Sequence, residues 1–436
     1  MNQHSKTVEK KILKLIVPTA EQRKTLESAI NELKICVQKI ICVHNYPITL
    51  QLVGSTEKDT YLKDNLDIDL FLCFPNSVAK SELQKIGLLI GRKVLTKTEE
   101  CFAEHPYLRG MFQGFKTEIV PCYTIESTNE KISAVDRTPF HTRYVKKHLK
   151  ESQKNEVRLL KQFLIGIGCY GAEAEIEGFS GYLCELLILK YSSFYDLLTH
   201  AQGWSYGITL SLHNVTHPLF DTPLVFIDPV DSERNVSSAL SKEKFDFFIT
   251  ASFEYLKNPR ESFFCPKLQK PWSLSKIIDH VGDRKIVGIK IKKPEIISEN
   301  LYPQVRKAMR AIIDLSTQYG FEITDAFFHV GDAFFYIVLF VEDFSISPTI
   351  IHIGPPVNLY KNSEEFLEKW SKNSKTIKQP YAKNNRWYVE IQREYVDIRD
   401  LLKNQLLCIG LGKHIDRIIK DGFILLDKSD LLDTPY

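Results

Sequence analysis

Apolar residues recur at helical spacing from the start of the chain, first Val8, Ile12 and Leu15, then Leu26, Ile30 and Leu33, so each set shares one helix face. The break falls at Val17-Pro18, and Thr19 stands where a side-chain cap would start the second helix. The period then shortens to two. Residues 48–53 alternate up to Gly54-Ser55, and 67–74 open on two acids and continue Leu70-Phe71-Leu72-Cys73-Phe74, a strand pattern in both places. A capped amphipathic helix is predicted over 81–96, with strands over 99–103, 107–112 and 115–121. Strands interleaved with helices predict an α+β unit of about 145 residues.

Beyond Lys154 the pattern turns helical, over 155–167 and 180–199, with Ser180 of Gly178-Phe179-Ser180-Gly181 as the cap. A mostly helical middle domain is predicted to end near Cys265-Pro266. From Lys285 the order is strand (285–291), helix (301–319) and two strands (323–330 and 333–341) joined at Gly331-Asp332, which suits a small ferredoxin-like sheet, a kind common among RNA binders. The remainder, 363–436, reads as a charged helical tail with one strand-like segment at 386–391. The expected architecture is α+β and multidomain, divided at 1–150, 151–265 and 266–436.

Composition narrows the class. At 436 residues and 44% hydrophobic the chain exceeds one core and can fill two to four. No apolar run approaches the ~20 residues that span a bilayer, and MNQHSKTVEKKILKLIVP lacks a signal-like stretch, so a cytoplasmic protein with no membrane partner is expected. The nine cysteines include no CxxC pair and read as buried thiols, and no tight Cys/His cluster suits zinc. A net charge of +3 is too small to announce a nucleic acid, which must be argued from local charge.

The chemistry concentrates at Asp67-Ile68-Asp69. On a strand the two carboxylates share a face while Ile68 turns inward. Alone, such a pair is most often a solvated strand end. Gly54-Ser55 upstream offers backbone N–H groups and a hydroxyl to a triphosphate, and Glu118 supplies a third acid if its strand lies beside 67–74. Three carboxylates on one face suit divalent metals that activate a hydroxyl and neutralise a leaving pyrophosphate.

These residues resemble a family, the archaeal class I CCA-adding enzymes, tRNA nucleotidyltransferases of the DNA polymerase β superfamily. The resemblance is carried by GSTEKDTYLKDNLDIDLFLCFP (54–75), AEHPYLRG (103–110), EIVPCY (118–123), SAVDRTPFH (133–141), NEVRLLKQFL (155–164), GFSGYLCELL (178–187), DPVDSERNV (228–236) and NLYPQ (300–304). It implies a polymerase-β-like palm, a helical central domain completing the nucleotide pocket, and C-terminal tRNA-binding body and tail. It implies, too, that C, C and A are added to the tRNA 3′ end from CTP and ATP without a template. Asp67 and Asp69 match the family's first two metal positions, and Glu118 the third, where aspartate is usual. Gly54, Ser55 and Lys58 fall at the triphosphate, with Lys58 replacing the family's usual arginine. Thr138 and His141 match contacts to sugar and phosphates, Lys161 and Tyr170 contacts to triphosphate and ribose, and Arg234 the contact to the base. Glu104 and His105 match a motif beside the active site.

Basic clusters carry the expectation of an RNA partner. Lys290, Lys292 and Lys293 crowd one strand, Arg306 and Lys307 follow Tyr302-Pro303-Gln304, and Lys372, Lys375 and Lys378 lie in a run without acids among aromatics. These are the candidate contacts to the acceptor stem. A poly(A)-polymerase-like or oligoadenylate-synthetase-like transferase remains an alternative, as does a non-catalytic RNA-binding protein on the same fold. Homodimerisation stays open.

Overall fold

The computed structural model describes residues 3–102, 106–127, 132–266 and 281–433, in two units, Met1–Leu268 and Gln269–Tyr436. Helix α1 (Gln3–Ile16) ends before Pro18, and α2 (Ala20–His44) starts from a capping box in which Gln22 N–H donates to the Thr19 hydroxyl and Thr19 N–H to the Gln22 side chain. The apolar face of α1 is Val8, Ile12 and Ile16. Leu15, expected on that face, is 60% exposed, because Ile16 takes the i+4 position above Ile12.

The first sheet contains β1 (Thr49–Val53), β2 (Ile68–Phe74), β3 (Thr96–Phe102), β4 (Pro106–Phe112) and β5 (Phe115–Tyr123), in the order β1-β2-β5-β4-β3. The short helix α3 (Gly54–Lys58) leaves the end of β1, and α4 (Lys80–Val94) follows β2. β2 and β5 run parallel, and the other pairings are antiparallel. Period-2 alternation divides the sheet. Leu70, Leu72, Phe74 and Ile119 pack with Leu26, Ile30 and Leu33 of α2 and Leu83 and Ile90 of α4. The opposite face carries Asp69, Phe71 and Cys73 on β2 and Glu118, Val120 and Cys122 on β5.

Helices α5 (Thr138–His148), α6 (Glu151–Gly166), α7 (Gly181–Tyr191), α8 (Phe194–Ala201) and α9 (Lys242–Lys257) build a second core in the same unit around Phe163, Leu187, Phe194 and Phe248, which also takes in the apolar face of α1. The single helix expected over 180–199 is two. Ser192, at φ 72°, ends α7 and the Ser193 side chain caps α8. The middle region also holds a sheet of β6 (Ile208–Leu210), β7 (Leu224–Asp228) and β8 (Asp231–Asn235), strands of three to five residues and too short to show a period.

In the second unit β9 (Lys285–Lys292), α10 (Ser298–Gln318), β10 (Ile323–Val330) and β11 (Phe334–Val341) follow the predicted order. With β15 (Phe423–Leu426) they form an antiparallel sheet β10-β11-β9-β15, the strand order of a ferredoxin-like fold. The tail expected as helical with one strand contains more strand than that. β14 (Arg386–Gln392) is the centre of a second sheet between β12 (Thr349–Pro356) and β13 (Thr376–Lys383), backed by α11 (Tyr360–Ser371). Both flanking strands are edges carrying prolines or lysines, composition that guards an edge and hides its strand character. Helices α12 (Ile398–Gln405), α13 (Ile415–Ile418) and α14 (Lys428–Asp433) complete the unit.

No helix among the described residues is long and apolar enough to cross a membrane. The cysteines are free. Cys73, Cys122, Cys169 and Cys184 are buried as expected, whereas Cys42, Cys265 and Cys408 are exposed.

Candidate active site

Parallel pairing of β2 with β5 puts Asp69 directly opposite Glu118, and Asp67 lies one residue before β2 begins. Asp69 is half-buried and borders a cleft. Desolvation, then the charges of Glu118 and Asp67, push its carboxyl up to about 7, and Asp67 is raised, chiefly by desolvation, as well. Glu118 is turned to its other neighbour, accepting from Arg109 Nε at 2.8 Å across the β4–β5 register. With Glu118 so held, no group of three acid, histidine or cysteine side chains among the described residues is gathered closely enough to hold a metal. Yet Asp67 and Asp69 are hard oxygen donors whose mutual repulsion a divalent cation would relieve, so the donor set fits one.

Gly54 opens α3 at φ +73°, and a Cβ built there would lie 1.9 Å from Asp69 Oδ2. Only glycine lets the turn approach the acid this closely. The Thr56 hydroxyl donates to the Asp67 carbonyl oxygen, tying α3 to the start of β2. At the other end of α3, Lys58 is buried against Glu185 of α7, which also accepts from Thr60 Oγ1 at 2.6 Å. Lys161 of α6 donates to the Thr60 carbonyl oxygen at 3.0 Å and stands 3.9 Å from Glu185. Burial lowers the Lys161 pKa, with the Glu185 charge opposing. The two lysines expected at the triphosphate thus share one buried carboxylate.

The far wall is organised by Asp228, at the end of β7. It accepts from His141 Nε2 (2.9 Å), Arg234 Nη1 (2.8 Å), the Tyr182 hydroxyl (3.1 Å) and Val230 N–H (3.1 Å). Burial acts to raise its pKa, but His141 and Arg234 outweigh it and bring the carboxyl down to about 2. His141 is stacked on Tyr182, ring centroids 4.1 Å apart, and burial lowers its pKa despite the carboxylate. Arg137 pairs with Asp231 at 3.0 Å while its Nε, buried, has no hydrogen-bond partner.

One cleft of about 500 Å³ gathers these parts. Asp67, Asp69 and Glu118 line it, with Gly54, Ser55, Lys58, Thr138, His141, Lys161, Tyr170 and Arg234, so every candidate catalytic and nucleotide residue read from the sequence borders the same space. Glu104 and His105 lie outside the described residues. Sequence reading missed Lys116, Arg137, Tyr182 and Glu185, which also line the cleft, and Asp228 behind it. Glu185 left a signal, a lone acid inside the apolar run Leu183-Cys184-Glu185-Leu186-Leu187, since a charge there must have a buried partner.

In the second unit Lys290 lies over the rings of Phe334 (4.3 Å) and Tyr336 (5.8 Å), Lys292 is exposed at the end of β9, and Lys293 Nζ donates to the Gly331 carbonyl oxygen at 3.3 Å. Arg306 sits over Phe328 at 5.5 Å, beside the exposed Lys307. Lys378 covers Tyr381 at 4.6 Å, Lys372 is exposed, and Lys375 is paired with Glu394 at 3.3 Å.

A mixed sheet carrying acids on its second strand, a glycine turn pressed against one of them and a helical wall of cations define a nucleotidyltransferase of the polymerase β type. Family models agree along the chain, as "Nucleotidyltransferase domain" over 35–141, "tRNA nucleotidyltransferase, second domain" over 155–265 and "CCA-adding enzyme, C-terminal domain" over 283–428. The CCA-adding enzyme of Methanosarcina acetivorans is 35% identical, over 96% of this chain and 93% of its own. That of Methanocaldococcus jannaschii is 36% identical over 93% of each, and that of Thermoplasma volcanium 38% over 87% and 84%. The chain belongs to the archaeal CCA-adding enzymes, a family of tRNA nucleotidyltransferases.

Proposed function

We propose that the chain completes the 3′ end of tRNA, adding C, C and A from CTP and ATP with no nucleic-acid template. The observation that carries this is the rung Asp69–Glu118, with Asp67 beside it, opening into the cleft that Gly54, Lys161, His141 and Arg234 also line. The terminal hydroxyl of tRNA attacks the α-phosphate of the bound nucleotide and pyrophosphate leaves. Asp67 and Asp69 would hold the divalent ion, Mg²⁺, which when bound lowers the pKa of the attacking hydroxyl and offsets the phosphate charge, and Glu118, paired with Arg109, stands across the rung from them.

The chain's own residues supply position and field. Gly54 and Ser55 bring backbone close to the phosphates, and Arg137, Thr138 and His141 face them from α5 and its approach. Lys58 and Lys161, held through Glu185 and Thr60, fix the angle of α3 against the helical wall and keep positive charge behind the triphosphate. Tyr170 borders the ribose. Arg234, oriented by Asp228, presents donors to the base edge, a geometry that takes both C and A. Residues 1–150 form the catalytic part, 151–265 complete the pocket, and 266–436 hold the tRNA through Lys290, Lys292, Lys293, Arg306, Lys307, Lys372, Lys375 and Lys378.

The test is to incubate tRNA lacking its last three nucleotides with Mg²⁺ and CTP, then with CTP and ATP, and to sequence the ends. Ends reading CC and then CCA, with no further growth, are expected. A run of A would instead make the chain a poly(A)-type transferase, and no Mg²⁺-dependent incorporation of labelled CTP would leave an RNA-binding protein without activity.

A further inference from the structure

The ferredoxin-like sheet has two unlike faces. Val287, Ile289 and Ile291 of β9 and Phe335, Ile337 and Leu339 of β11 turn toward α10 and are buried. The opposite face is half covered. Leu431 of α14 packs on Ile286, Val338 and Phe340 at one end of it, whereas Lys292, Phe327 and Phe334 elsewhere on it are exposed.

That open half has a composition unusual for a solvent face. One rung crosses all four strands, with His329 opposite Tyr336, Tyr336 opposite Lys290 and Lys290 opposite Ile424. Phe334 and Lys292 form the next pair on this face. Phe327, Phe334 and Ile424 are 47%, 36% and 54% exposed. Rings and lysines are interleaved, since Lys290 Nζ lies 4.3 Å from the Phe334 centroid and the His329 and Tyr336 rings are 6.3 Å apart.

We infer that this half-sheet is a stacking platform for unpaired RNA nucleotides, its Lys290 and Lys292 serving the single strand and the basic residues outside it the duplex. Exposed rings are costly in water and useful against a base, whose π-face any sequence offers. Same-face positions along a strand lie about 6.6 Å apart, near twice the ~3.4 Å rise of stacked bases, so Phe334 and Tyr336 would each carry a separate, splayed base. A duplex keeps its bases inside and cannot use these rings. Lys290 and Lys292 stand between the rings to take the linking phosphates. The occupant is therefore single-stranded RNA, such as the unpaired end or loops of a tRNA. The inference deepens the reading of this unit as tRNA-binding and rests on it only for the choice of RNA.

The test uses the full chain, with fluorescence anisotropy of a labelled ten-nucleotide single-stranded RNA and of a blunt RNA duplex of equal length. Phe334→Leu combined with Tyr336→Leu, which keeps apolar bulk but no ring, is expected to weaken single-strand binding roughly 5- to 100-fold and duplex binding by less than about twofold. Lys290→Gln, with both rings intact, should reduce the salt slope of single-strand binding by about one, and it reads the same face if the double variant does not fold. Equal loss on both probes, or no loss on either, overturns the inference. A self-association, seen by sedimentation, that the double variant abolishes would assign the face to a second copy and overturn it too. Because the readout is oligonucleotide binding, it succeeds or fails independently of CCA addition in the cleft.

Discussion

Gly54 and Asp69 fit together so closely that Asp69 Oδ2 occupies the space where a side chain at position 54 would begin. The turn proposed to face the triphosphate and the acid proposed to face the metal are therefore one construction. Gly54→Ala would force a Cβ into φ +73° and displace the carboxylate. A stability loss of about 1–2 kcal/mol and at least a ~100-fold fall in CTP incorporation are expected, measured by thermal melt and single-turnover extension.

Asp69→Ala should remove nucleotide addition by ~10³-fold or more while changing tRNA affinity by less than about twofold, because the acid acts in the transition state and not in docking. Gel-shift titration beside an extension assay checks this. Substantial residual turnover would remove Asp69 from the metal site.

Glu185 answers two buried ammonium groups, Lys58 and Lys161. Glu185→Ala leaves both without a counter-charge and should cost about 3–5 kcal/mol in chemical denaturation. Replacing Lys58 and Glu185 together by Met and Leu should restore part of that loss, since the penalty lies in the orphaned charge and not in the missing pair.

Glu9 on α1 is buried beside Ser5, and desolvation raises its carboxyl from an ordinary 4.5 to about 7. The folded state thus holds the proton more tightly than the unfolded one. The stability this contributes is fully present below about pH 4.5 and is lost as pH rises through about 7. Glu9→Gln should remove this pH dependence, and at pH 8 the variant should be the more stable by about 2 kcal/mol after allowance for solvent screening. Melting curves of both proteins at pH 5 and pH 8 test the sign.

Asp228 orients His141, Arg234 and Tyr182 at once. Asp228→Asn keeps the size but cannot accept from all three as a charge, and KM for both nucleotides should rise about 10-fold with a smaller effect on kcat. A shift in the ratio of CTP to ATP use, read from paired initial rates, separates lost orientation of Arg234 from general loosening.

The chain alone disclosed a good deal. Thr19 and Ser180 act as the caps their types predict, and Asp69 and Glu118 sit on the strands their alternation requires, with Asp67 one residue ahead of its strand. Local rules suffice there, because capping and the two-residue period act over a few positions. Those rules failed where the local pattern admitted a second reading. Leu15 obeyed the helical spacing yet faces solvent, the break at Ser192 depends on one residue at positive φ, and the edge strands β12 and β13 hide behind proline and lysine.

Sequence by itself determined the two acids at the start of one strand, the glycine turn before them and the family to which the ordered motifs belong, since each is written in neighbouring residues. Tertiary structure alone decided that Glu118 meets Asp69 across a parallel pairing while leaning on Arg109, that Glu185 binds both lysines, and that Asp228 gathers the far wall. Most of these partners lie tens of residues or more apart in the chain, Asp69 from Glu118, Glu185 from both lysines and Asp228 from His141 and Tyr182. A buried charge states that it needs a partner, and only the fold says which one it finds.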